Sequence, residues 1–200
     1  SDVKKWIRRG QVTVGGEVVR DPKLKVAGTA VLTLNDEPLL ALPPLAVFHK
    51  PAGVHCTLRD EWGRQDLSTA VPAEWRQHHP VGRLDAETTG LLLLSTDGQF
   101  TQRVLHPKRA IEREYVALLG GEVFDEMSVE RLAAGVETSL GTFSARVVEF
   151  DTHLARVVVT EGKNRMVRRI LNNIGHPVRK LHRDNSVRSS TREVFGFRPN

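Results

Sequence analysis

Apolar positions along this chain recur with two periods, and the switches between them mark out its elements. In VKKWIRR, residues 3–9, Val3, Trp6 and Ile7 share one side while Lys4, Lys5, Arg8 and Arg9 lie elsewhere, which predicts a short helix closed by Gly10. Residues 11–20 alternate and break at Gly15-Gly16, a two-residue hairpin pattern. A turn at Asp21-Pro22 and a third strand over residues 29–34 follow. Residues 36–44 contain Pro38, Pro43 and Pro44, which interrupt both helix and ladder, so a linker and a domain boundary are expected there.

The second part opens with a short apolar strand over residues 45–49 and a Lys50-Pro51-Ala52-Gly53 turn. Residues 58–66 are polar and loop-like, and residues 67–71 suggest a helical turn. Thr88-Thr89-Gly90 reads as a small polar turn leading into Leu91, Leu92, Leu93 and Leu94. That apolar run is too short for a typical helix and is bounded by Ser95-Thr96-Asp97-Gly98, so it predicts a buried strand. A short helix over 99–105 is ended by His106-Pro107, and a strand is expected over 112–119. Residues 125–134 form an amphipathic helix pattern with Asp125 as its N-cap. Residues 143–150 and 154–160 should pair antiparallel around Asp151-Thr152-His153. Residues 161–165 then open a helix reaching about residue 174, with Met166, Val167, Ile170, Leu171 and Ile174 as its apolar stripe. Gly175-His176-Pro177 stops it.

Composition narrows the function classes. At 200 residues the chain is long enough for one or two domains with a real core, and 40% hydrophobic with 26% charged residues is ordinary for a globular protein. The net charge of +5 is unevenly placed. Lys163, Arg165, Arg168, Arg169, Arg179, Lys180, Arg183, Arg188 and Arg192 face only Asp184 in the same stretch. That clustering points to a polyanionic partner such as a nucleic acid. The lone Cys56 rules out an internal disulfide and a cysteine metal site, so no metal is expected. No apolar run approaches the roughly 20 residues needed to span a bilayer. SDVKKWIRRG carries no apolar signal-peptide region, so a cytoplasmic, membrane-free monomer is the expectation.

The chemistry concentrates in HPVGRLDAETTGLLLLSTDGQF, residues 79–100. Gly82-Arg83-Leu84-Asp85 sets a carboxylate two residues from a guanidinium, on a loop that runs into a buried strand. Taken singly, Arg83 and Asp85 are also what an ordinary ion pair would use. The whole string resembles the aspartate motif of pseudouridine synthases, specifically the RsuA/RluB family that modifies ribosomal RNA. Other segments share the resemblance. His49-Lys50-Pro51-Ala52-Gly53-Val54 is similar to the segment that opens the synthase catalytic domain, with His49 in place of the usual Asn. Arg113-Glu114-Tyr115-Val116-Ala117 resembles the motif whose tyrosine packs against the target uracil. Glu161-Gly162-Lys163-Asn164-Arg165 with Val167, Arg168 and Arg169 resembles the third synthase motif, whose basic residue pairs with the aspartate. The N-terminal helix followed by VTVGGEVV resembles part of the S4 RNA-binding domain, with one of its two helices. The tail departs: residues 185–191 lack the family's glycine and Leu-rich strand, although Gly196-Phe197-Arg198-Pro199 resembles its closing segment.

The resemblance implies a fold and a set of roles. The fold is α+β: a mixed, mainly antiparallel central sheet with flanking helices, preceded by a small N-terminal α/β remnant. Residues 1–40 would be the partial S4-like domain and 45–200 the catalytic domain. Asp85, Tyr115 and Arg168 would be catalytic. Arg83, Val167, Lys50, Lys163, Arg165 and Arg169 would hold substrate, with Lys50 meeting a phosphate or simply solvated in its turn, and Lys163 an alternative partner for the aspartate. The partner would be ribosomal RNA. The reaction breaks the C1′–N1 bond of a uridine and rejoins the base through C5, so no redox cofactor or group donor is needed and none is expected. Asp85 would attack C1′ or C6, or take the 2′ hydrogen. Two rivals remain. One is a non-catalytic RNA binder with a degenerate synthase fold. The other is a hydrolase using Asp85 with Glu87, which needs one carboxyl held protonated, a state the neighbouring arginines oppose.

Overall fold

The computed structural model describes residues 2–27, 29–39 and 44–184. The chain divides into two compact units, Ser1–Pro43 and Pro44–Asn200. In the first, helix α1 (Asp2–Arg8) ends at Gly10, whose φ of +73° is the left-handed closure that glycine permits. Strands β1 (Val12–Val14) and β2 (Glu17–Val19) form the expected hairpin. Gly15 and Gly16 both take positive φ, as a tight turn matching the strand twist requires. Strand β3 (Leu32–Leu34) pairs with β1, and β4 (Glu37–Leu39) pairs with β3. The expectation of a linker from residue 36 is therefore corrected, since β4 occupies part of it. Pro38 is tolerated because β4 is the outer strand of the order β2-β1-β3-β4, where a missing N–H costs no ladder bond. Residues 40–43, the remainder of that linker, lie outside the described residues.

The second unit contains β5 (Leu45–Lys50), the single-turn helix α2 (Leu67–Ala70), β6 (His79–Pro80) and β7 (Thr88–Ser95). Helix α3 (Gly98–Leu105) and strand β8 (Arg113–Leu119) follow. Next come α4 (Glu126–Ala134), a hairpin of β9 (Val136–Thr138) and β10 (Gly141–Phe143), and the antiparallel pair β11 (Arg146–Asp151) and β12 (Leu154–Val159). Helix α5 (Met166–Asn173) and β13 (Val178–Asp184) complete the described chain. Asp66, Asp97 and Asp125 cap α2, α3 and α4 by accepting from backbone N–H groups of the first turn.

One sheet organises this unit, in the order β11-β12-β8-β13-β7-β5 with β6 added against β7. Among the described residues only the β13–β7 pair of this sheet is parallel, so the sheet is mixed and mainly antiparallel, as the resemblance implied. Met166, Val167, Ile170 and Leu171 of α5 pack with Leu132 of α4 onto Ala117, Leu119, Val157 and Leu181 of the sheet. A second cluster gathers Leu67, Leu84, Leu92 and Leu94 near the β5–β7 edge. No helix among the described residues is long and apolar enough to cross a membrane.

Three local expectations change. Thr88-Thr89-Gly90 is the start of β7 and not a turn. The chain needs glycine there: Gly90 has φ +112°, and a Cβ would lie 2.2 Å from the backbone oxygen of Arg183 on the neighbouring strand. Helix α5 begins at Met166, because Arg165 sits in the left-handed region (φ +51°) and residues 161–164 form a loop. Residues 143–150 are divided, with Phe143 ending β10 and β11 starting at Arg146. Strand β13 was not expected. Its Val-Arg-Lys-Leu-His-Arg-Asp sequence is too polar to read as a central strand, yet it lies between β8 and β7. Residues 185–191 and Gly196-Phe197-Arg198-Pro199 fall outside the described residues.

Candidate active site

Asp85 is carried on the loop that leads from β6 into β7. Gly82 turns this loop with a φ of +87°. The Leu84 N–H donates to Cys56 Sγ at 3.3 Å, and the Thr88 N–H donates back to the Asp85 carbonyl at 3.0 Å. The Ala86 carbonyl is pinned twice, by the Gly53 N–H at 2.9 Å and by Lys50 Nζ at 2.9 Å. Lys50 also donates to the carbonyls of Pro51 (2.7 Å) and Val54 (2.8 Å). Its side chain is fully buried, and burial pulls its ammonium below the ordinary lysine range. The expectation that Lys50 meets a phosphate is therefore corrected. All three of its donors are spent on backbone carbonyls, and the side chain ties the Lys50-Pro51-Ala52-Gly53 turn to the Asp85 loop.

Helix α5 brings Arg168 to this loop from 83 positions further along the chain. Its Nε lies 3.7 Å from Asp85 Oδ2, a charge contact just beyond hydrogen-bond length. Nη1 donates to the Val178 carbonyl at 3.3 Å, and Nη2 to the Glu87 carbonyl at 3.5 Å and Thr88 Oγ1 at 3.4 Å. These contacts aim the guanidinium while leaving Nε without a hydrogen-bond partner. Burial lowers its pKa, with the charge of Arg165 adding to the effect and Asp85 and Glu87 opposing it. An arginine shifted in this way is still a cation.

Asp85, Arg168 and Tyr115 line one cavity of about 140 Å³. Arg83, Lys163, Arg165 and Val167 line it as well. Val167 is buried, whereas Arg83, Lys163 and Arg165 are exposed. Tyr115 is half-buried on β8, and burial pushes its phenol pKa up despite the charges of Arg183 and Arg113. A wider groove of about 1040 Å³ shares Arg83, Asp85, Arg113, Lys163 and Arg165 with the cavity. Five Lys and Arg residues line that groove against three acids, so it favours an anion. Arg169 is not brought to either concavity. Its Nε donates to the Asn164 carbonyl at 3.1 Å and its Nη1 to Ser139 Oγ at 3.0 Å, which ties the loop before α5 to the β9–β10 hairpin. Among the described residues no cluster of His, Cys, Asp or Glu is arranged to hold a metal ion.

Sequence reasoning missed two cavity cations, Arg113 and Arg183. Arg113 donates to the Ile111 and Thr160 carbonyls, at 3.2 and 3.0 Å. Arg183 stands directly across from Tyr115 in the β13–β8 ladder. The strand period would have placed it on the tyrosine's face had β13 been anticipated.

Comparison with known proteins gives this arrangement a family. A family model described as RNA pseudouridylate synthase matches residues 44–173, and the chain belongs to that family. A model described as the S4 domain matches residues 1–32. Ribosomal large subunit pseudouridine synthase B of Bacillus subtilis is 34% identical over 191 residues, covering 89% of this chain and 76% of that protein. The protein of the same name from Pseudomonas aeruginosa is 36% identical over 197 residues, covering 91% of this chain and 50% of its own length. A pseudouridylate synthase crystal structure superposes with a TM-score of 0.63 at 26% identity, covering 91% of this chain and 80% of that one.

Proposed function

We propose that this chain isomerises a uridine of ribosomal RNA to pseudouridine, with Asp85 as nucleophile toward a base swung out of the RNA. The observation that carries this reading is the meeting of Asp85 and Arg168, 3.7 Å apart, in a cavity that Tyr115 also lines. The names of the curated relatives support ribosomal RNA as the substrate class. Residues 1–40 are read as an S4-like RNA-holding unit and 45–200 as the catalytic unit.

The physical sequence is as follows. Flipping a stacked uridine costs a few kcal/mol. Phosphate contacts from Arg83, Lys163 and Arg165 along the groove offset part of it, and stacking on the Tyr115 ring contributes roughly 1–3 kcal/mol more. The bound base covers Asp85, and burying an anion is costly unless a counter-charge is near. The Arg168 guanidinium, 3.7 Å away, supplies that counter-charge. The carboxylate displaces uracil from C1′, the uracil turns, and C5 bonds to C1′ as the carboxylate leaves. The C5 proton departs through the Tyr115 hydroxyl, which gives up its own proton as it accepts this one, and N1 takes up a proton, so the net change is an isomerisation. Val167 closes the apolar side of the cavity.

Ribosomal RNA carrying tritium at uridine C5 tests the reading. The wild-type chain releases tritium, and Asp85→Ala does not. Binding without release by the wild type would leave a non-catalytic RNA binder, and appearance of free uracil would favour hydrolysis.

A further inference from the structure

Arg183 is a half-buried guanidinium that lines the cavity and whose charge no acid among the described residues neutralises at ion-pair distance. Among the described residues it makes no side-chain hydrogen bond and no ion pair, and its Nε is sealed from solvent without a partner. A charge taken out of water is expensive unless it is paired, so this is an unusual use of an arginine. Its position is fixed by two strands. It faces Tyr115 directly across the antiparallel β13–β8 ladder, and its backbone rests on Gly90 of β7, where any side chain would collide. Arg168, the other buried cation of the cavity, is committed to Asp85, Thr88 Oγ1 and two carbonyls. Arg113 is committed to two carbonyls.

The reaction itself creates an anion that needs such a group. When the C1′–N1 bond breaks with its electron pair moving to N1, the departing uracil carries a negative charge shared by N1, O2 and O4. A donor already in place stabilises that charge without having to reorganise. We propose that Arg183 is a catalytic residue that stabilises the departing uracil anion, its guanidinium donating to a base carbonyl beside the Tyr115 ring. The electrons of the broken bond rest on the base in contact with Arg183, and they return to carbon when C5 bonds to C1′. This inference rests on the isomerase reading and adds to it a residue that senses charge on the base rather than on the carboxylate.

The test compares leaving groups. Arg183→Met and Arg183→Lys are measured in single turnover on the same RNA carrying either uridine or 5-fluorouridine, following consumption of the target nucleoside. Fluorine stabilises the base anion, so 5-fluorouracil depends less on outside help. With uridine, Arg183→Met should slow the step about 100-fold, the scale of losing one anion-stabilising donor, while RNA affinity holds. With 5-fluorouridine the loss should shrink to about tenfold or less, and Arg183→Lys should recover part of the rate on uridine. Equal losses on the two substrates, or a loss confined to RNA affinity, would overturn the proposal and leave Arg183 a structural or phosphate-binding residue. Should Arg183→Met fail to fold, Arg183→Lys carries the same two-substrate comparison. A wild-type chain that consumes neither nucleoside overturns the isomerase reading, whereas an active wild type with equal variant losses overturns this inference alone.

Discussion

Arg156 and Arg183 are both drawn into the same sheet, and their surroundings could hardly differ more. Arg156 on β12 is 4% exposed and is held by Glu114, by Asp184 at 2.9 Å and by Glu149 at 3.4 Å. Burial alone would lower its pKa, but hydrogen bonds to Glu114 and Asp184 outweigh that and raise it. Arg183 has no carboxylate within ion-pair distance among the described residues, and burial lowers its pKa. The two sites use adjacent positions of the same strands. Glu114 precedes Tyr115 on β8, and Arg183 precedes Asp184 on β13, so strand alternation sends one pair to each face. The face with neutralised charge ties β11, β12, β8 and β13 together. The other face belongs to the cavity. Among the described residues, a buried arginine thus lines the cavity when its counter-charge is absent or held at a distance, and joins strands when the counter-charge is complete.

That contrast can be broken from either side. The largest effect is expected for Asp85→Asn, which removes the proposed nucleophile while keeping its shape: turnover should vanish and RNA binding largely survive in a filter-binding assay. Retained turnover would exclude Asp85 from the chemistry. On the neutralised face, Arg156→Met removes the cation that Glu114 and Asp184 share and should cost about 3 kcal/mol of stability in denaturant unfolding, with the single-turnover rate of the folded fraction unchanged. Arg168→Ala should show the opposite profile, slowing single turnover about 100-fold with little loss of affinity. Equal losses of rate and affinity would demote Arg168 to a phosphate contact.

Two lysines sharpen the comparison on a smaller scale. Lys50→Met takes a donor from the Pro51, Val54 and Ala86 carbonyls, of which Ala86 keeps the Gly53 N–H, and should lower stability by about 2 kcal/mol, while the salt dependence of RNA binding stays as it was. Lys163→Ala should leave stability alone and reduce the slope of log affinity against log salt by about 1, as loss of one phosphate contact does. Exchange of these two profiles would mean that the exposed lysine is structural and the buried one reaches the RNA.

The sequence by itself determined the first hairpin and most helix boundaries, whose determinants are local: the hairpin glycines at 15 and 16, the capping aspartates, and the apolar stripe of α5. The motif-bearing residues and the mainly antiparallel α+β class came through the resemblance to a family. The sequence also paired Asp85 with Arg168, through the resemblance of separate motifs, since nothing in a run of residues states a distance across 83 positions. Only the tertiary structure decided which basic residues face the cavity. Lys50 and Arg169 looked equivalent to Lys163 and Arg165 as letters, but carbonyl acceptors and a hairpin contact take the first two out of reach. Arg183 was hidden for a related reason. Its strand is polar in sequence and becomes the centre of the sheet only because β8 and Gly90 of β7 receive it on either side, and burial of a charge is a property of those neighbours rather than of the residue.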